Sequence, residues 1–349
     1  MCRTFRVVPV FVAAMLCIGC GKQTLPLPER VVEVPAGALP VSLAWNAATG
    51  APVVGCTNGR VVLWENSGIP PAVRETGSTA PVTALSVLAD GTVVAGTADG
   101  RLYARSPATG QERRFEPQGS SVRTIAFAPQ TANVLQFVVA LADGRLLFVD
   151  AQRGSEAVRS GHKGGARCAS YSPDGRTFIT AGDDGRLAWW SPRTRRRSAV
   201  HGGHDTAVAA LQWLDGGRWL ITGDWNGKLL LWNAARQTAV GDAEQPDAVA
   251  GIAVWSSREF VTGSWDGVLR LWRIETSPNR PPSIDKVAEK ATGRTIECIA
   301  VDSGGPAVLV IGDDAAIRWW RWERPEGIPA AGERIDRAAT AEGRRRAGR

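Results

Sequence analysis

The sequence predicts an all-β fold in which one unit of short strands is repeated seven times. Three observations carry that expectation. The segment from Gly203 to Trp232 reads as three short strands, Val208–Trp213, Trp219–Thr222 and Leu229–Trp232, with alternating apolar side chains and Asp-Gly-Gly and Asn-Gly turns. His204 precedes Trp232 by 28 residues and His162 precedes Trp190 by the same 28, so two segments share one frame. An Asp/Asn-Gly turn then recurs at Gly59, Gly100, Gly144, Gly185, Gly227 and Gly267, with Ala315 in the seventh place, at intervals of 41, 44, 41, 42, 40 and 48 residues. A single unit of this length cannot bury both faces of its sheet. Stacking of neighbouring units supplies the core.

Every unit carries the parts in order. An apolar inner strand opens each one: Val41–Trp45, Val82–Val87, Val122–Phe127, Ala166–Tyr171, Val208–Trp213, Val249–Trp255 and Ile296–Val301. Asn58, Asp99, Asp143, Asp184, Asn226, Asp266 and Asp314 immediately precede the turn anchors. Trp64, Trp190, Trp232, Trp272 and Trp320 follow them by five, and only Arg105 and Val149 depart from that pattern. The long sixth interval holds Glu275–Arg294, whose three prolines predict a surface loop before the seventh unit.

The segment GHKGGARCASYSPDGRTFITAGDDGRLAWW runs from Gly161-His162, through Ser-Pro-Asp-Gly, to Asp184-Gly185 and Trp190. It resembles the repeat of the WD-repeat β-propeller family. The resemblance implies a seven-bladed β-propeller and a monomeric ring over residues 30–322, with the unpaired apolar Val31–Val34 completing the last blade as its outermost strand. It also implies a structural tetrad of His, Thr, turn Asp and terminal Trp. The matching residues are His162, Thr180, Asp184 and Trp190, then His204, Thr222, Asn226 and Trp232; a third set, Thr262, Asp266 and Trp272, lacks the His.

In the same family, the residue before the turn Asp lies on the face where loops ring the central channel and partners commonly bind. Here those residues are Thr57, Ala98, Ala142, Asp183, Trp225, Trp265 and Asp313. The tetrad requires neither Trp225 nor Trp265. With Asp183 and Asp313 flanking them, the two indoles are the candidate partner-binding site, tryptophan being enriched in binding hot spots.

Residues 1–19 have the shape of an export signal: Arg3 and Arg6, then the apolar run Val7–Gly19, which is too short to span a membrane. Gly19-Cys20 resembles the bacterial lipoprotein processing site, although Cys17 stands where that motif usually has Leu. The resemblance implies a lipid-modified Cys20, a tether over residues 20–29, and an exported protein anchored to a membrane and facing the periplasm or cell exterior. Residues 323–349, rich in Ala, Gly, Arg and Glu, have no apolar periodicity and are expected to be a disordered tail.

The formal charge of +7 is modest, and part of it lies in Arg193–Arg197 and the tail. Such runs are ordinarily solvated, and an exported protein rarely meets nucleic acid, so no nucleic-acid partner is expected. Cys56 and Cys298 fall in blades that meet at the ring closure. One lies at a strand end and the other on an inner strand, so small buried thiols are expected at Cys56, Cys168 and Cys298 rather than a bridge. His201 and His204 are too few for a zinc site. No catalytic motif emerges, and neither a metal nor a cofactor is expected.

The functional expectation is therefore a non-catalytic protein–protein interaction scaffold in the bacterial cell envelope, with an unknown protein or peptide on a loop face. The alternative starts from Asp99-Gly-Arg-Leu-Tyr-Ala-Arg-Ser-Pro-Ala-Thr-Gly110 with Phe115 following, which resembles a quinoprotein-type propeller repeat. That likeness implies a lipoprotein that helps assemble outer-membrane proteins.

Overall fold

Seven four-stranded antiparallel sheets account for all the strands of the computed structural model, which describes residues 28, 30–34, 38–64, 72–129, 136–150, 154–159, 161–301, 307–314 and 316–321. The expected signal 1–19, Cys20, most of the tether and the tail lie outside the described residues. The protein is an all-β, seven-bladed β-propeller.

Blade one is built from Pro40–Asn46, Ala51–Cys56, Arg60–Leu63 and Ala72–Glu75, paired in that order. The next five blades repeat the arrangement, with inner strands Val82–Val87, Val122–Phe127, Ala166–Tyr171, Val208–Leu214 and Val249–Val254. Blade seven takes Ile296–Val301, Ala307–Gly312 and Ala316–Arg321 from the C-terminal end of the ring and Arg30–Glu33 from the N-terminal end. Arg30 pairs with Trp319 and Val32 with Ile317, so the N-terminal strand closes the last blade. The inner strands of blades seven and one also pack together, completing the ring.

The blades interlock through their second strands, several of which are buried along their whole length. Between blades four and five, Ile179, Leu187 and Trp189 meet Val208, Trp213 and Trp232 in one apolar cluster. Four blades carry a glycine at the last-but-one position of the second strand, where the next blade's inner strand presses closest. A Cβ at Gly96 would stand 2.3 Å from Val122 Cγ1, and one at Gly223 would stand 2.7 Å from Val249 Cγ1. Gly96→Ala should therefore push blades two and three apart, lowering stability by about 1–3 kcal/mol in thermal or denaturant unfolding. An unchanged melting temperature would show that the blades yield at this contact.

The segment 275–294 departs from expectation. Instead of a loop, Val268–Ser277 and Arg280–Ala291 form one long hairpin, the third and outermost strands of blade six. Ile274 pairs with Ile284, and both are buried in the cluster between blades five and six. Pro281 and Pro282 are tolerated because they fall on an edge strand where the pairing register shifts between Glu275 and Ser277, outside the regular ladder.

The inner strands enclose a central channel containing a cavity of about 430 Å³, lined by residues such as Leu85, Thr124, Cys168, Gln212, Ile252 and Ile299. Cys56, Cys168 and Cys298 are free thiols. Burial raises all three thiol pKa values, to about 11 for Cys56 and about 12 for Cys168, so none is a ready nucleophile.

Candidate functional site

Two hydrogen-bonded tetrads fix the blades next to the site. In blade four, His162 Nδ1 lies 2.9 Å from Asp184 Oδ1, His162 Nε2 lies 2.9 Å from Thr180 Oγ1, and the Trp190 indole donates to Thr180 Oγ1 at 3.0 Å. One donor order uses each group once: indole to hydroxyl, hydroxyl to Nε2, and Nδ1–H to carboxylate. Such a closed chain leaves no buried polar atom unpaired and stiffens the blade.

Blade five has a different fourth member from the one its sequence suggests. Thr222 and Trp232 hold the same places, but His204 Nδ1 lies 2.9 Å from Asp224, not from Asn226. Asn226 contributes only its backbone N–H, which donates to Asp224 Oδ1 alongside that of Lys228. The cause lies at the end of the second strand. Blade four has Gly182 there, with the His162 ring packed so closely that a Cβ would stand 2.6 Å from its Cγ. Blade five puts a carboxylate at that register, and it takes the place beside the imidazole that the turn Asp184 holds in blade four, at the same 2.9 Å.

In blade six the missing His is replaced by Gln245, whose Oε1 accepts from Thr262 Oγ1 at 2.7 Å while Thr262 accepts from the Trp272 indole at 2.9 Å. Asp266 is thereby released from the tetrad and is gripped by Arg270 at 2.6 Å and 3.2 Å. His204 is fully engaged, and among the described residues no cluster of three or more His, Cys, Asp or Glu side chains could hold a metal ion.

The site itself is the mouth of the channel, and two repeated backbone devices build it. The first, in blades one to six, is a hydrogen bond from the residue before the turn Asp or Asn to the carbonyl just ahead of the inner strand. Trp225 N donates to Ala207 O and Trp265 N to Ala248 O, both at 3.2 Å, and Asp183 N donates to Gly165 O at 3.4 Å. These bonds hold the turn residues over the beginnings of the inner strands.

The second device is a bulge at the second position of all seven inner strands, where the pairing register shifts. A bulge re-aims the side chain it carries. The bulge residues, from blade one to blade seven, are Val41, Thr83, Arg123, Arg167, Ala209, Ala250 and Glu297.

Together the two rings make an asymmetric mouth. Trp225 and Trp265 are 40% and 44% exposed, the two exposed aromatic side chains among the described residues. Their ring centroids lie 6.2 Å apart with the planes inclined at 34°. The Arg167 guanidinium lies over the Trp225 ring, 4.2 Å from its centroid. Asp183 does not offer a free carboxylate beside the indoles, since Arg167 Nε donates to it at 2.7 Å and Arg123 Nη1 at 2.6 Å. Burial opposes its ionisation, but these two hydrogen bonds prevail and hold its pKa below the usual carboxylate range. Asp313 stands apart on blade seven, well exposed and paired with Arg294 at 3.4 Å. The row thus runs Arg123, Asp183, Arg167, Trp225, Trp265 across blades three to six. Neither arginine was singled out from the sequence, although a charged residue on an otherwise apolar inner strand was a readable signal.

Similarity to known proteins agrees with this geometry. The WD40 family model (WD domain, G-beta repeat) matches residues 155–191, 196–233 and 243–273, which contain most of blades four to six. The ciliary WD repeat-containing protein ctxp80 of Euplotoides octocarinatus is 26% identical over 110 residues, 32% of this chain and 15% of that protein. A chain in the crystal structure of the mitotic checkpoint complex superposes with a TM-score of 0.71 at 19% identity, over 91% of this chain and 98% of its own. The chain carries WD40 repeats, and these likenesses support a place in the WD-repeat family. Propellers of this type typically serve as protein-interaction scaffolds and are generally non-catalytic.

Proposed function

We propose that the protein is a non-catalytic interaction scaffold that holds a partner protein across the channel mouth, with Trp225 and Trp265 as the main contacts. The observation behind this reading is the pair of neighbouring indoles left open on adjacent blades, while other tryptophans, such as Trp189, Trp232 and Trp320, are fully buried. Exposed apolar patches and tryptophan hot spots mark binding surfaces, and a rigid ring presents them without an ordering penalty. Asp183 acts by orienting Arg167, and Asp313 contributes a charge at the far rim. The same proposal places the protein in the bacterial cell envelope, exported and held to a membrane by lipid on Cys20.

The Trp225→Ala/Trp265→Ala double variant tests the binding face. It should weaken partner capture at least about tenfold, as expected for hot-spot truncation, while the melting temperature changes little. A large drop in melting temperature would show instead that the indoles serve the core. The anchor is tested by the mass of the N-terminal peptide from native membranes. A diacylated or triacylated Cys20 is expected, and an unmodified peptide beginning at Met1 would overturn it.

A further inference from the structure

The partner site carries a clue to what it recognises, and the inference drawn from it rests on the binding face proposed above. The Arg167 side chain is held on two sides, by its Nε hydrogen bond to Asp183 and by the face of Trp225 beneath it. Its Nη1 and Nη2 groups have no hydrogen-bond partner among the described residues, and the side chain is about one-third exposed. This is a guanidinium fork held in orientation, partly exposed, with both Nη groups uncommitted among the described residues. Such a fork matches the two oxygens of a carboxylate, and fixing it beforehand removes the ordering cost that a free arginine would incur.

The charge count narrows the ligand. Arg123 and Arg167 face the single carboxylate of Asp183, leaving one positive charge in excess, which suits one carboxylate better than a doubly charged phosphate. The neighbouring blades five and six carry only Ala209 and Ala250 at their bulges, so no long side chain from that ring competes for the space beside the indoles. An acid set on Arg167 would place the adjoining residue over Trp225 and Trp265. A cation is disfavoured at Trp225 because Arg167 already occupies that ring face.

We infer that the channel mouth binds a peptide segment of a partner protein in which a carboxylate lies next to an apolar or aromatic residue, the acid on Arg167 and its neighbour on the two indoles. The carboxylate comes from an Asp or Glu side chain or from a chain end.

The test is selection of a displayed random decapeptide library on the full chain, followed by titration of the enriched peptides made synthetically, with free and amidated ends. Wild-type protein should enrich Asp, Glu or a free C-terminus beside an apolar residue, and changing that acid to its amide should weaken binding about tenfold. Arg167→Gln should erase the preference for the acid while keeping that for the apolar residue. Trp225→Ala/Trp265→Ala should abolish binding of the same peptides. Enrichment of Lys or Arg, or an acid preference that survives in Arg167→Gln, would overturn the assignment of a carboxylate while leaving the face intact. No enrichment, or enriched peptides that bind the double tryptophan variant unchanged, would overturn the binding face and this inference together. Loss with amidated ends alone assigns the acid to a chain terminus; loss with side-chain amides alone assigns it to Asp or Glu.

Discussion

Asp224→Ala will destabilise the protein by about 3 kcal/mol, whereas Asn226→Ala will change stability by less than about 1 kcal/mol. The difference follows from which side chain receives the imidazole. Asp224 is completely buried and takes His204 Nδ1 on one oxygen and the backbone N–H groups of Asn226 and Lys228 on the other. Removing it strands a buried ring nitrogen and two turn donors at once, and an unmatched buried group costs far more than an average hydrogen bond contributes. Asn226 gives the network only its main chain, which an alanine retains. Denaturant unfolding of both variants measures the contrast, and equal losses would return the tetrad to Asn226.

The same network adds a pH dependence with a defined sign. Burial lowers the His204 pKa, and this outweighs the opposing pull of Asp224. The unfolded chain, with its ordinary histidine pKa of about 6.5, therefore takes up the proton first as pH falls. The contribution is fully present above about pH 6.5 and is lost as pH drops through that value toward the lower folded pKa. Between pH 7 and 5, wild type should lose stability more steeply than His204→Gln.

Arg273→Met will cost about 3–5 kcal/mol, and adding Glu259→Gln will recover part of that loss. Glu259 opens the second strand of blade six with its side chain completely buried, and Arg273 donates to one of its oxygens from Nη2 at 2.7 Å and from Nε at 3.1 Å. Ser256 Oγ bonds the other oxygen at 3.2 Å. Taking away the guanidinium leaves a desolvated carboxylate, whereas glutamine removes the charge that needs compensating. A single variant no less stable than wild type, in thermal or denaturant unfolding, would mean that water reaches the carboxylate.

How much was legible depended on how local the cause was. The seven inner strands could be read from alternation and turn spacing because both are set within a few residues. Val31–Val34 belongs to the last blade because it has no unit of its own, and the strand found there is Arg30–Glu33. The long hairpin of blade six was hidden: three prolines suggested a loop, but an outermost strand tolerates proline, and the pairing of Ile274 with Ile284 is a contact across the turn. Asp224 was hidden for a similar reason. Its role depends on the height of an imidazole above a strand end, which is open in blade four because of Gly182. A carboxylate where other blades have Cys56, Thr97, Leu141, Ser264 or Gly312 was the available sign. The slots of Trp225 and Trp265 follow from repeat register, and the family resemblance puts those slots at the mouth. The partnership of Asp183 with Arg123 and Arg167 needs the bulge, which sequence spacing does not reveal, so a flanking acid proved to be the clamp of an arginine.

The binding face is tested most directly by placing a photocrosslinking residue at position 225 and, separately, at position 215 in the turn at the other end of blade five. Both variants would be expressed in the native host and irradiated in intact cells. The expected result is a discrete protein adduct from position 225 that is absent from position 215 and is reduced when Trp265 is also replaced by Ala. An adduct from position 215 with none from position 225 would contradict the assignment of the channel mouth as the face that holds the partner.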